Sequence, residues 1–438
     1  MAEEAKRLTR VKGGRIIDPS INLDERLDVL IDGDHFKSLL QPGEEFPGVE
    51  TVIDAGGMIV VPGIVDIHVH LREPGQEYKE DILSGTRAAA SAGVTSVCCM
   101  ANTDPVNDNS SVTEFIVRQA KKACFARVFP IGAVTKGLEG EVLAEIGELT
   151  DAGCVGFSDD GRPIMNAEVM RRALEYLKRF NGVLISHAED KNLAGKGVMN
   201  EGDVSTELGL PAVPRAAEEV MIARDICLSE MLNARVHFAH VSTAGGVALI
   251  RQAKARGLPV TAETAPHYFK LTDEAVRGYD PRTRVNPPLR TEKDVSAIRA
   301  GLADGTIDCI ASDHAPHASH EKDIEYQLAL SGISGVETIL GLTLSLVGDG
   351  TLSLMDGIAK LTTGPARVLN LEVGTMGRGK PADLTIINPD IEWTVDSTKF
   401  LSKGKNTPFN GMRLKGKAHA TIIGGKLIKI TQGRALAL

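Results

Sequence analysis

The chain has 438 residues, of which 42% are hydrophobic and 24% charged, so it is long enough to bury a large core and does not have the composition of a disordered protein. Its net charge of -9 is spread along the chain without a basic run, which argues against nucleic acid or an anionic membrane as a partner. The first residues contain no apolar signal region, and no stretch approaches the roughly 18 apolar residues that span a bilayer. We therefore expect a cytoplasmic protein.

The N-terminal part of the chain has the pattern of short strands separated by turns. Segments of β type begin at Arg15, Leu27 and Glu50. The C-terminal part has the same pattern, with further β-type segments at 382–387, 418–423 and 426–430. We expect residues 1–61 and 376–438 to form together one small, discontinuous β-sandwich domain.

The middle of the chain, residues 62–375, has a different pattern. Short apolar runs alternate there with longer stretches of helical period, such as 168–180, 215–232, 247–256 and 292–302. Strands that alternate with helices are typical of a parallel sheet. The sequence therefore predicts an α/β fold in which a (β/α)8 TIM-type barrel is inserted between the two parts of the sandwich.

The first apolar run of this middle region ends in two histidines separated by one residue, His68-Val-His70. Side chains at positions i and i+2 of a strand lie on the same face, so both imidazoles can bind one ion. Neutral imidazole is the commonest protein ligand for metals of the zinc type. A His-x-His pair is weak evidence by itself, and it gains weight from the rest of the chain.

Later apolar runs also end in side chains that bind metals. Three of them end in His187, His240 and Asp313, and a fourth ends in the pair Asp159-Asp160. The active site of a (β/α)8 barrel lies at the carboxyl ends of its strands, so these residues are expected to meet. Adjacent strand residues point to opposite faces, and the spacing does not say which of the two aspartates faces the metals.

The combined set of four imidazoles and two carboxylates is sufficient for two divalent ions. A mixed nitrogen and oxygen set favours zinc, with manganese, iron or cobalt as substitutes. A water molecule that bridges two such ions has a pKa near ~7, which makes it a hydroxide nucleophile at neutral pH. The pattern thus predicts metal-assisted hydrolysis.

Other residues of similar chemistry are expected to be structural. His237 lies three residues before His240, which puts it on the opposite face of that strand as a hydrogen-bonded histidine. Cys98 and Cys99 are adjacent within an apolar run and are expected to be reduced core residues. His267 is equally consistent with the rim of the site and with a structural role.

A family resemblance rests on eight motifs, which occur in the same order as in that family. The motifs are His68-Val-His70-Leu-Arg72-Glu-Pro-Gly, Asn102-Thr, Phe157-Ser-Asp-Asp160-Gly, His187-Ala-Glu-Asp, His240-Val-Ser-Thr, Asn286-Pro-Pro-Leu-Arg, Asp313-His-Ala-Pro-His317 and Lys405-Asn-Thr-Pro-Phe. With them the chain resembles the class I bacterial dihydroorotases of the amidohydrolase superfamily over most of its length. The aspartate before the glycine of Asp-Asp-Gly distinguishes these enzymes from dihydropyrimidinases and hydantoinases, which have a carboxylated lysine there.

The resemblance implies a reaction and a set of ligands. The reaction is the reversible closure of N-carbamoyl-L-aspartate to (S)-dihydroorotate with loss of water in pyrimidine biosynthesis, by way of a zinc-bound hydroxide. The implied ligands of one or two zinc ions are His68 and His70 for the more buried ion, His187 and His240 for the second, Asp160 as the bridge, and Asp313 as a further ligand of the first ion. Asp313 is also expected to take up and return the proton.

The resemblance also implies the residues that bind the substrate. Arg72 offers a forked cation for a carboxylate. The other implied contacts are His70, Asn102, Asn286, His317 and the backbone of Ser331 and Gly332. Two features differ from many family members: Ala101 replaces a proline, and Ala329-Leu-Ser-Gly replaces Ala-Pro-Phe-Gly.

Two alternative functions remain open. The first is another cyclic amidohydrolase, such as an allantoinase or a dihydropyrimidinase, against which Asp160 and Arg72 argue. The second is a non-catalytic scaffold for aspartate transcarbamoylase, although pseudoenzymes of that kind lack metal ligands. The resemblance further implies a homo-oligomer and an association with aspartate transcarbamoylase.

Overall fold

The structure is a computed structural model that describes residues 8–431 and 434–437, with side chains described for residues 8–428. Seven strands precede the barrel. They are β1 (Leu8–Lys12), β2 (Arg15–Asp18), β3 (Leu23–Arg26), β4 (Asp28–Asp32), β5 (His35–Leu40), β6 (Val49–Asp54) and β7 (Ile59–Pro62). One sheet has the order β5-β4-β1-β6, whereas β2, β3 and β7 belong to a second, larger sheet.

The barrel consists of eight parallel strands, which pair in chain order. They are β8 (Ile64–Val69), β9 (Val94–Cys99), β10 (Arg127–Gly132), β11 (Gly156–Phe157), β12 (Leu184–Ser186), β15 (Val236–Phe238), β16 (Val260–Thr264) and β17 (Cys309–Ile310). Two further strands, β13 (Met199–Asn200) and β14 (Ala212–Val213), pair only with each other. The chain after β17 closes the ring on β8, where the N–H of His70 donates to the carbonyl oxygen of His314 at 2.8 Å. The expected (β/α)8 barrel is confirmed.

The described helices lie between or after the barrel strands, and four of them coincide with the stretches predicted at 168–180, 215–232, 247–256 and 292–302. They are α1 (Ile82–Ser91), α2 (Ser110–Ala123), α3 (Ile146–Ala152), α4 (Ala167–Lys178), α5 (Lys191–Ala194), α6 (Asp203–Leu208), α7 (Ala216–Leu232), α8 (Ala244–Ala255), α9 (Pro266–Lys270), α10 (Glu292–Ala303), α11 (Ser319–Lys322), α12 (Ile339–Gly348), α13 (Leu354–Leu361) and α14 (Thr363–Val368). In α4 the buried residues Met170, Ala173, Leu174 and Leu177 recur at helical spacing, and the Asn166 side chain caps the first turn. None of the described helices combines the length and the apolar character needed to cross a membrane.

Strands from the N-terminal and C-terminal segments of the chain pair in one sheet. Four C-terminal strands, β18 (Leu384–Thr394), β19 (Arg413–Ile423), β20 (Lys426–Thr431) and β21 (Arg434–Ala437), join the larger sheet in the order β21-β20-β19-β18-β7-β2-β3. A buried cluster with Val29 from the smaller sheet and Val60, Leu384 and Ile422 from the larger one lies between the two sheets. Sheet packs on sheet, as in a β-sandwich. The expected domain limits at residues 1 and 438 lie outside the described residues.

The barrel strands have two apolar faces, as parallel strands covered by helices do. Val65, Ile67, Cys98 and Ile185 form a cluster inside the barrel, whereas Cys99 belongs to the cluster between the strands and the helices. The two adjacent cysteines are therefore buried on opposite faces, as expected, and all six cysteines are free thiols, with Cys124 and Cys227 exposed. This packing makes the barrel wall a rigid support for the residues at its mouth.

Candidate metal centre and active site

The predicted metal ligands meet at the carboxyl ends of the barrel strands. His68 and His70 lie at the end of β8, and their rings are 5.4 Å apart between centroids. The Nε2 atoms of His68 and His70 lie 3.6 Å and 3.5 Å from the Oδ1 atom of Asp313, which follows β17. These three side chains form one group whose donor atoms face a common point.

Asp160 lies at the centre of the remaining ligands. Its Oδ1 atom is 3.5 Å from the Nε2 of His68 and 3.4 Å from both the Nδ1 of His187 and the Nε2 of His240. Its Oδ2 atom is 3.7 Å from the Nε2 of His70. This carboxylate therefore contacts both histidine pairs, as a bridging ligand must.

The neighbouring aspartate has a different role. The carboxylate of Asp159 accepts hydrogen bonds from the backbone N–H groups of Val134 and Thr135, at 2.8 Å and 3.0 Å, and from the hydroxyl of Thr135. Asp159 thus holds the turn after β10, and it is Asp160 that faces the ligands. The structure separates two residues between which the spacing could not choose.

Several site residues have a backbone conformation that is rare for side chains larger than glycine. The φ angles are 34° for His240, 48° for Asp313 and 60° for Arg72. Non-glycine residues with positive φ are uncommon and cluster at functional sites, where the surrounding structure holds them. All three residues lie within three residues of the end of a barrel strand, β15, β17 or β8.

His237 is a hydrogen-bonded histidine, as expected, with its Nδ1 2.9 Å from the Oγ1 of Thr261. Its position relative to the site differs from the expectation, because its Nε2 lies 3.3 Å from the Oε2 of Glu263, a residue that itself contacts a predicted ligand. The strand β15 ends at Phe238, so the alternation of faces does not extend to His240. His237 therefore lies directly beneath the ligands.

Two of the predicted ligand imidazoles are oriented by neighbours that accept a hydrogen bond from them. The Nδ1 of His68 donates to the Oε1 of Glu263 at 2.6 Å, and the Nδ1 of His70 donates to the Oδ1 of Asn102 at 2.9 Å. In both rings this leaves Nε2 as the atom with a free electron pair, aimed at the other ligands. Glu263 was not predicted from the sequence; the signal was a carboxylate in the middle of an apolar strand.

His187 is held on the other side of the site. Its Nε2 lies 3.4 Å from the Oε2 of Glu189 and 3.3 Å from the Nδ2 of Asn286. Its Nδ1 lies 2.9 Å from the Nε2 of His240, so these two nitrogens are adjacent in the site. Glu189 was not predicted from the sequence either, although it lies only two residues after His187.

The electrostatics of the site favour a bound cation. Burial alone would raise the pKa of Asp160, yet the neighbouring His68, His187 and His240 hold the pKa well below its ordinary value. Burial likewise opposes the charge of Asp313, and His70 and His68 lower its pKa. Two buried, ionised carboxylates at one point require positive charge close by.

The donor atoms themselves fit a metal ion. The Nε2 of His68 is buried and has no hydrogen-bond partner among the described residues, although it faces two carboxylates. Imidazole nitrogens with carboxylate oxygens are the donor set of zinc and its first-row substitutes. The residues present therefore fit a metal centre at the mouth of the barrel.

The predicted substrate residues lie around the same mouth. Arg72 is buried, which lowers its pKa to about 10, and its Nε donates to the Pro316 carbonyl oxygen at 3.4 Å. The Nε2 of His317 donates to the carbonyl oxygen of Ser331 at 2.8 Å. Burial, followed by the charge of Arg72, lowers the pKa of His317 to about 3, so this imidazole is neutral.

His267, whose role the sequence left open, lies inside the site. Its Nε2 is 3.9 Å from the Oδ2 of Asp313, and its ring packs on Tyr268 with 4.1 Å between centroids. Burial lowers the pKa of His267 to about 4, which keeps this ring neutral.

Fold and site together define a class of protein, a metal-dependent hydrolase built on a (β/α)8 barrel. Residues 59–428 match the Amidohydrolase family. A dihydroorotase of Geotalea daltonii and one of Syntrophotalea carbinolica are each 55% identical to this chain over 418 residues, which is 95% of the chain and 98% of each relative. The chain belongs to the amidohydrolase family and, within it, to the dihydroorotases.

Solved structures agree with this fold. The L-hydantoinase (dihydropyrimidinase) of Arthrobacter aurescens has a TM-score of 0.88 and 26% identity, with 98% of this chain and 97% of that chain covered. A dihydropyrimidinase of Brevibacillus agri has a TM-score of 0.86 at 21% identity, with 98% and 96% covered. The barrel is thus shared with enzymes of other names, so the likeness in fold alone does not select the reaction.

Proposed function

We propose that this protein is a zinc-dependent dihydroorotase that closes N-carbamoyl-L-aspartate reversibly to (S)-dihydroorotate with loss of water. The observation that carries the proposal is the position of Asp160, whose two oxygens face both histidine pairs. The names of the curated relatives support the same reaction. A sister enzyme acting on another ring would be expected to have a lysine in place of this aspartate.

The proposed metal ligands are those expected from the sequence. They are His68, His70 and Asp313 for one ion, His187 and His240 for another, and Asp160 between them. A bound divalent ion would polarise the ring carbonyl and lower the pKa of water to ~7. The contacts of Glu263 and Asn102 with the two histidines of β8 support this assignment. Either one or two zinc ions per subunit agree with the proposal.

Asp313 is the proposed proton carrier. In the hydrolytic direction its carboxylate takes one proton from the attacking water and then gives that proton to the ring nitrogen, as the bond between this nitrogen and the carbonyl carbon breaks. In the biosynthetic direction the same steps run backwards. The low pKa of Asp313, which His70 and His68 maintain against burial, supports an unprotonated base at the start of hydrolysis.

The substrate carboxylate is proposed to bind between two loops. Arg72 would supply a forked cation, with Asn102 and His317 as further partners. The other proposed contacts, to the ring, are His70, Asn286 and the backbone of Ser331 and Gly332. Asn286 and Asn102 would then serve two purposes, because each also holds a proposed metal ligand.

The decisive experiment is an assay of dihydroorotate hydrolysis by the purified protein with its metal content measured, beside an Asp313→Asn variant. We expect activity with the wild type and a loss of about 10²- to 10⁴-fold in kcat with the variant, because a general acid-base group is removed. The exposed residue Asp323, on the loop after His317, provides the control Asp323→Asn, which should leave kcat unchanged. Activity only on hydantoin or allantoin would refute the proposal.

Assembly and location form a separate part of the proposal. We propose a cytoplasmic homo-oligomer that associates with aspartate transcarbamoylase. Ile324, Leu328 and Leu330 are exposed apolar side chains on the loop after His317, and a partner would cover them. The measurement is the molar mass in solution and the activity with and without aspartate transcarbamoylase. A monomeric protein with the same activity in the presence and absence of aspartate transcarbamoylase would contradict the proposed assembly.

The domain limits are also proposed. We infer domains at residues 1–61 and 376–438 for the sandwich and 62–375 for the barrel. The pairing of β18 with β7, in which Leu384 lies opposite Pro62, supports one sandwich built from both ends of the chain. Limited proteolysis should therefore cut within loops and leave the two terminal segments associated.

A further inference from the structure

The segment between β18 and β19 contains five residues, 402–406, that reach the mouth of the barrel; we call them the brace. The brace contacts two loops that belong to different barrel strands. One loop follows β8 and carries Arg72, and the other follows β17 and carries His317. These two side chains must face one anion if they bind the same substrate carboxylate.

Asn406 is the contact of the brace with the second loop. Its side chain is buried, its Nδ2 donates to the carbonyl oxygens of Ala315 and Gly332 at 3.2 Å and 3.0 Å, and its Oδ1 accepts from the N–H of His317 at 3.0 Å. The hydroxyl of Ser334 lies 3.0 Å from the same oxygen. The amide of Asn406 thus holds both ends of the loop that runs from Ala315 to Ser334.

The packing around these hydrogen bonds leaves no free space. Gly332 has a φ of 146°, and a Cβ there would lie 2.6 Å from the carbonyl oxygen of Ala315 and 2.9 Å from the Nε2 of His317. A Cβ on Gly404 would lie 2.6 Å from the Cβ of Pro316. The brace and the loop are therefore in direct backbone contact, and small shifts of one move the other.

A second donor reaches Gly332 from the opposite side. The ammonium group of Lys322, on α11, is buried and donates to the carbonyl oxygens of Leu330, Gly332 and Arg284 at 2.7 Å, 3.1 Å and 3.3 Å. The carbonyl of Gly332 therefore accepts from both Asn406 and Lys322. This fixes the peptide next to Ser331, whose carbonyl oxygen in turn holds the ring of His317.

The other end of the brace holds the first loop. The hydroxyl of Ser402 donates to the Oε2 of the fully buried Glu80 at 2.5 Å, and the N–H of Lys403 donates to the same oxygen at 3.2 Å. The ammonium group of Lys403 pairs with Asp81 at 2.5 Å. Glu80 and Asp81 end the loop that begins at Arg72, so one short segment of chain connects both loops.

We propose that the brace is a positioning element for the substrate carboxylate and that Asn406 is its principal positioning residue. This inference rests on the proposed function. The brace sets the distance between the loops of Arg72 and His317. Asn406 accepts from the backbone N–H of His317 and holds Gly332, the residue after Ser331, whose carbonyl oxygen holds the His317 ring. Loss of the Asn406 amide group loosens the carboxylate site and leaves the metal ligands, which lie on the strand ends, in place.

The test compares Asn406→Asp with the control Asn410→Asp. The first substitution keeps the acceptor for His317 but places a carboxylate oxygen against two carbonyl oxygens, whereas Asn410 is exposed and accepts only from the N–H of Ser397 among its described bonds. With Asn406→Asp we expect the KM for dihydroorotate to rise about 10-fold or more, because a buried hydrogen-bonded group is lost. kcat should change less than about threefold and the metal content should stay equal.

Ligand binding separates positioning from a general loss of structure. Orotate carries the carboxylate and 5,6-dihydrouracil lacks it, so only the inhibition constant of orotate should rise with the KM. Asn406→Ser removes the amide without adding a charge. It should raise the KM and the inhibition constant of orotate in the same direction, and it guards against an Asn406→Asp variant that does not fold. The inference is wrong if kcat falls at unchanged KM, if both inhibitors weaken equally, or if neither changes.

Amide hydrogen exchange tests the role of the brace without depending on the enzymatic reaction. Residues 315–334 should exchange faster in Asn406→Asp than in the wild type or in Asn410→Asp, whereas α4 and α7 should not change. A wild type that does not hydrolyse dihydroorotate would refute the proposed function, and the exchange would still decide on the brace. Unchanged exchange in residues 315–334 would overturn the inference.

Discussion

His68 is the most firmly held of the predicted ligands. Its Nδ1 donates to Glu263, the other oxygen of Glu263 faces the Nε2 of His237, and the Nδ1 of His237 contacts Thr261. A carboxylate behind a ligating imidazole fixes its tautomer and raises its basicity. Thr261, His237, Glu263 and His68 thus form one line of contacts that ends at the predicted metal centre. The bond from Nδ1 to Glu263 leaves the Nε2 of His68 available to an ion.

Replacement of this carboxylate should weaken metal binding. In Glu263→Gln the carbonyl oxygen can still accept from His68, but the negative charge is lost, so we expect zinc affinity to fall about 10- to 100-fold. The measurement is competition with a chromogenic chelator. Asp383→Asn is the control, because Asp383 is a buried carboxylate that pairs with Arg127 away from the ligands. Equal zinc affinity in Glu263→Gln and the wild type would contradict the prediction.

At the scale of elements, four of the five strands that carry predicted ligands are short, β8 being the exception with six residues. β11 and β17 have two residues each and β12 and β15 have three, and the ligand follows shortly after the strand end in each case. The sequence predicted longer strands that run up to the ligand. The difference arises because ligands at the mouth must leave the sheet to converge, as the positive φ of His240 and Asp313 shows.

The hairpin that connects β19 with β20 depends on two glycines. The hairpin between β19 and β20 turns at Gly424 and Gly425, with φ angles of 53° and 73°. The N–H of Gly425 donates to the carbonyl oxygen of Ala382 at 2.9 Å, which joins the turn to the start of β18. A Cβ on Gly425 would lie only 1.9 Å from the carbonyl oxygen of Gly33. This turn therefore holds the smaller sheet against the larger one.

Gly425→Ala should destabilise the protein. The left-handed conformation costs a residue with a Cβ roughly 1–2 kcal/mol, and the contact with Gly33 adds to this cost. Gly379→Ala is the matched control, because its φ is 78° and nothing lies within 4 Å of its Cβ position. Chemical denaturation should show a larger loss in the free energy of unfolding for Gly425→Ala. Equal losses for the two variants would disprove the role of the contact.

At the scale of the whole molecule, the terminal sheets and the barrel are joined by specific polar contacts. Arg127 of β10 pairs with Asp383 through two hydrogen bonds of 2.6 Å and 3.1 Å. Thr385 of β18 donates to the carbonyl oxygen of Gly93 at 2.6 Å. The brace adds contacts at the opposite end of the barrel strands. The terminal segments thus contact the barrel at both of its ends and belong to the structure of the site.

Removal of metal should lower the stability of the whole protein. The proposed ligands come from five of the eight barrel strands, and the buried carboxylates of Asp160 and Asp313 lie close to several imidazoles and to one another's ligands. A ligand at about 100 times its Kd stabilises the folded state by ~2.7 kcal/mol. Calorimetry should show a Tm several degrees lower after chelation and recovery with added zinc. A His240→Ala variant should show a smaller effect, and an unchanged Tm in verified apoprotein would contradict the prediction.

Much of the fold and the ligand set was predictable because their signals are local. Helical period predicted α4, α7, α8 and α10 to within a few residues, and each predicted ligand stands at the end of an apolar run. Glu263, Glu189 and Asn406 were missed as functional residues. Their importance lies in contacts with residues far away in the chain or on the far side of a turn, which no local pattern records.

The sequence by itself determined the barrel, the order of its ligands and the family, because strand period, helical period and motif order are properties of neighbouring residues. The local spacing left Asp159 and Asp160 open, the family resemblance implied Asp160, and the structure places Asp160 towards the predicted ligands. Only the tertiary structure decided that His237 lies behind Glu263 and that Asn406 reaches the mouth of the barrel. The physical reason is that such choices depend on which atoms a buried polar group meets when the chain closes on itself.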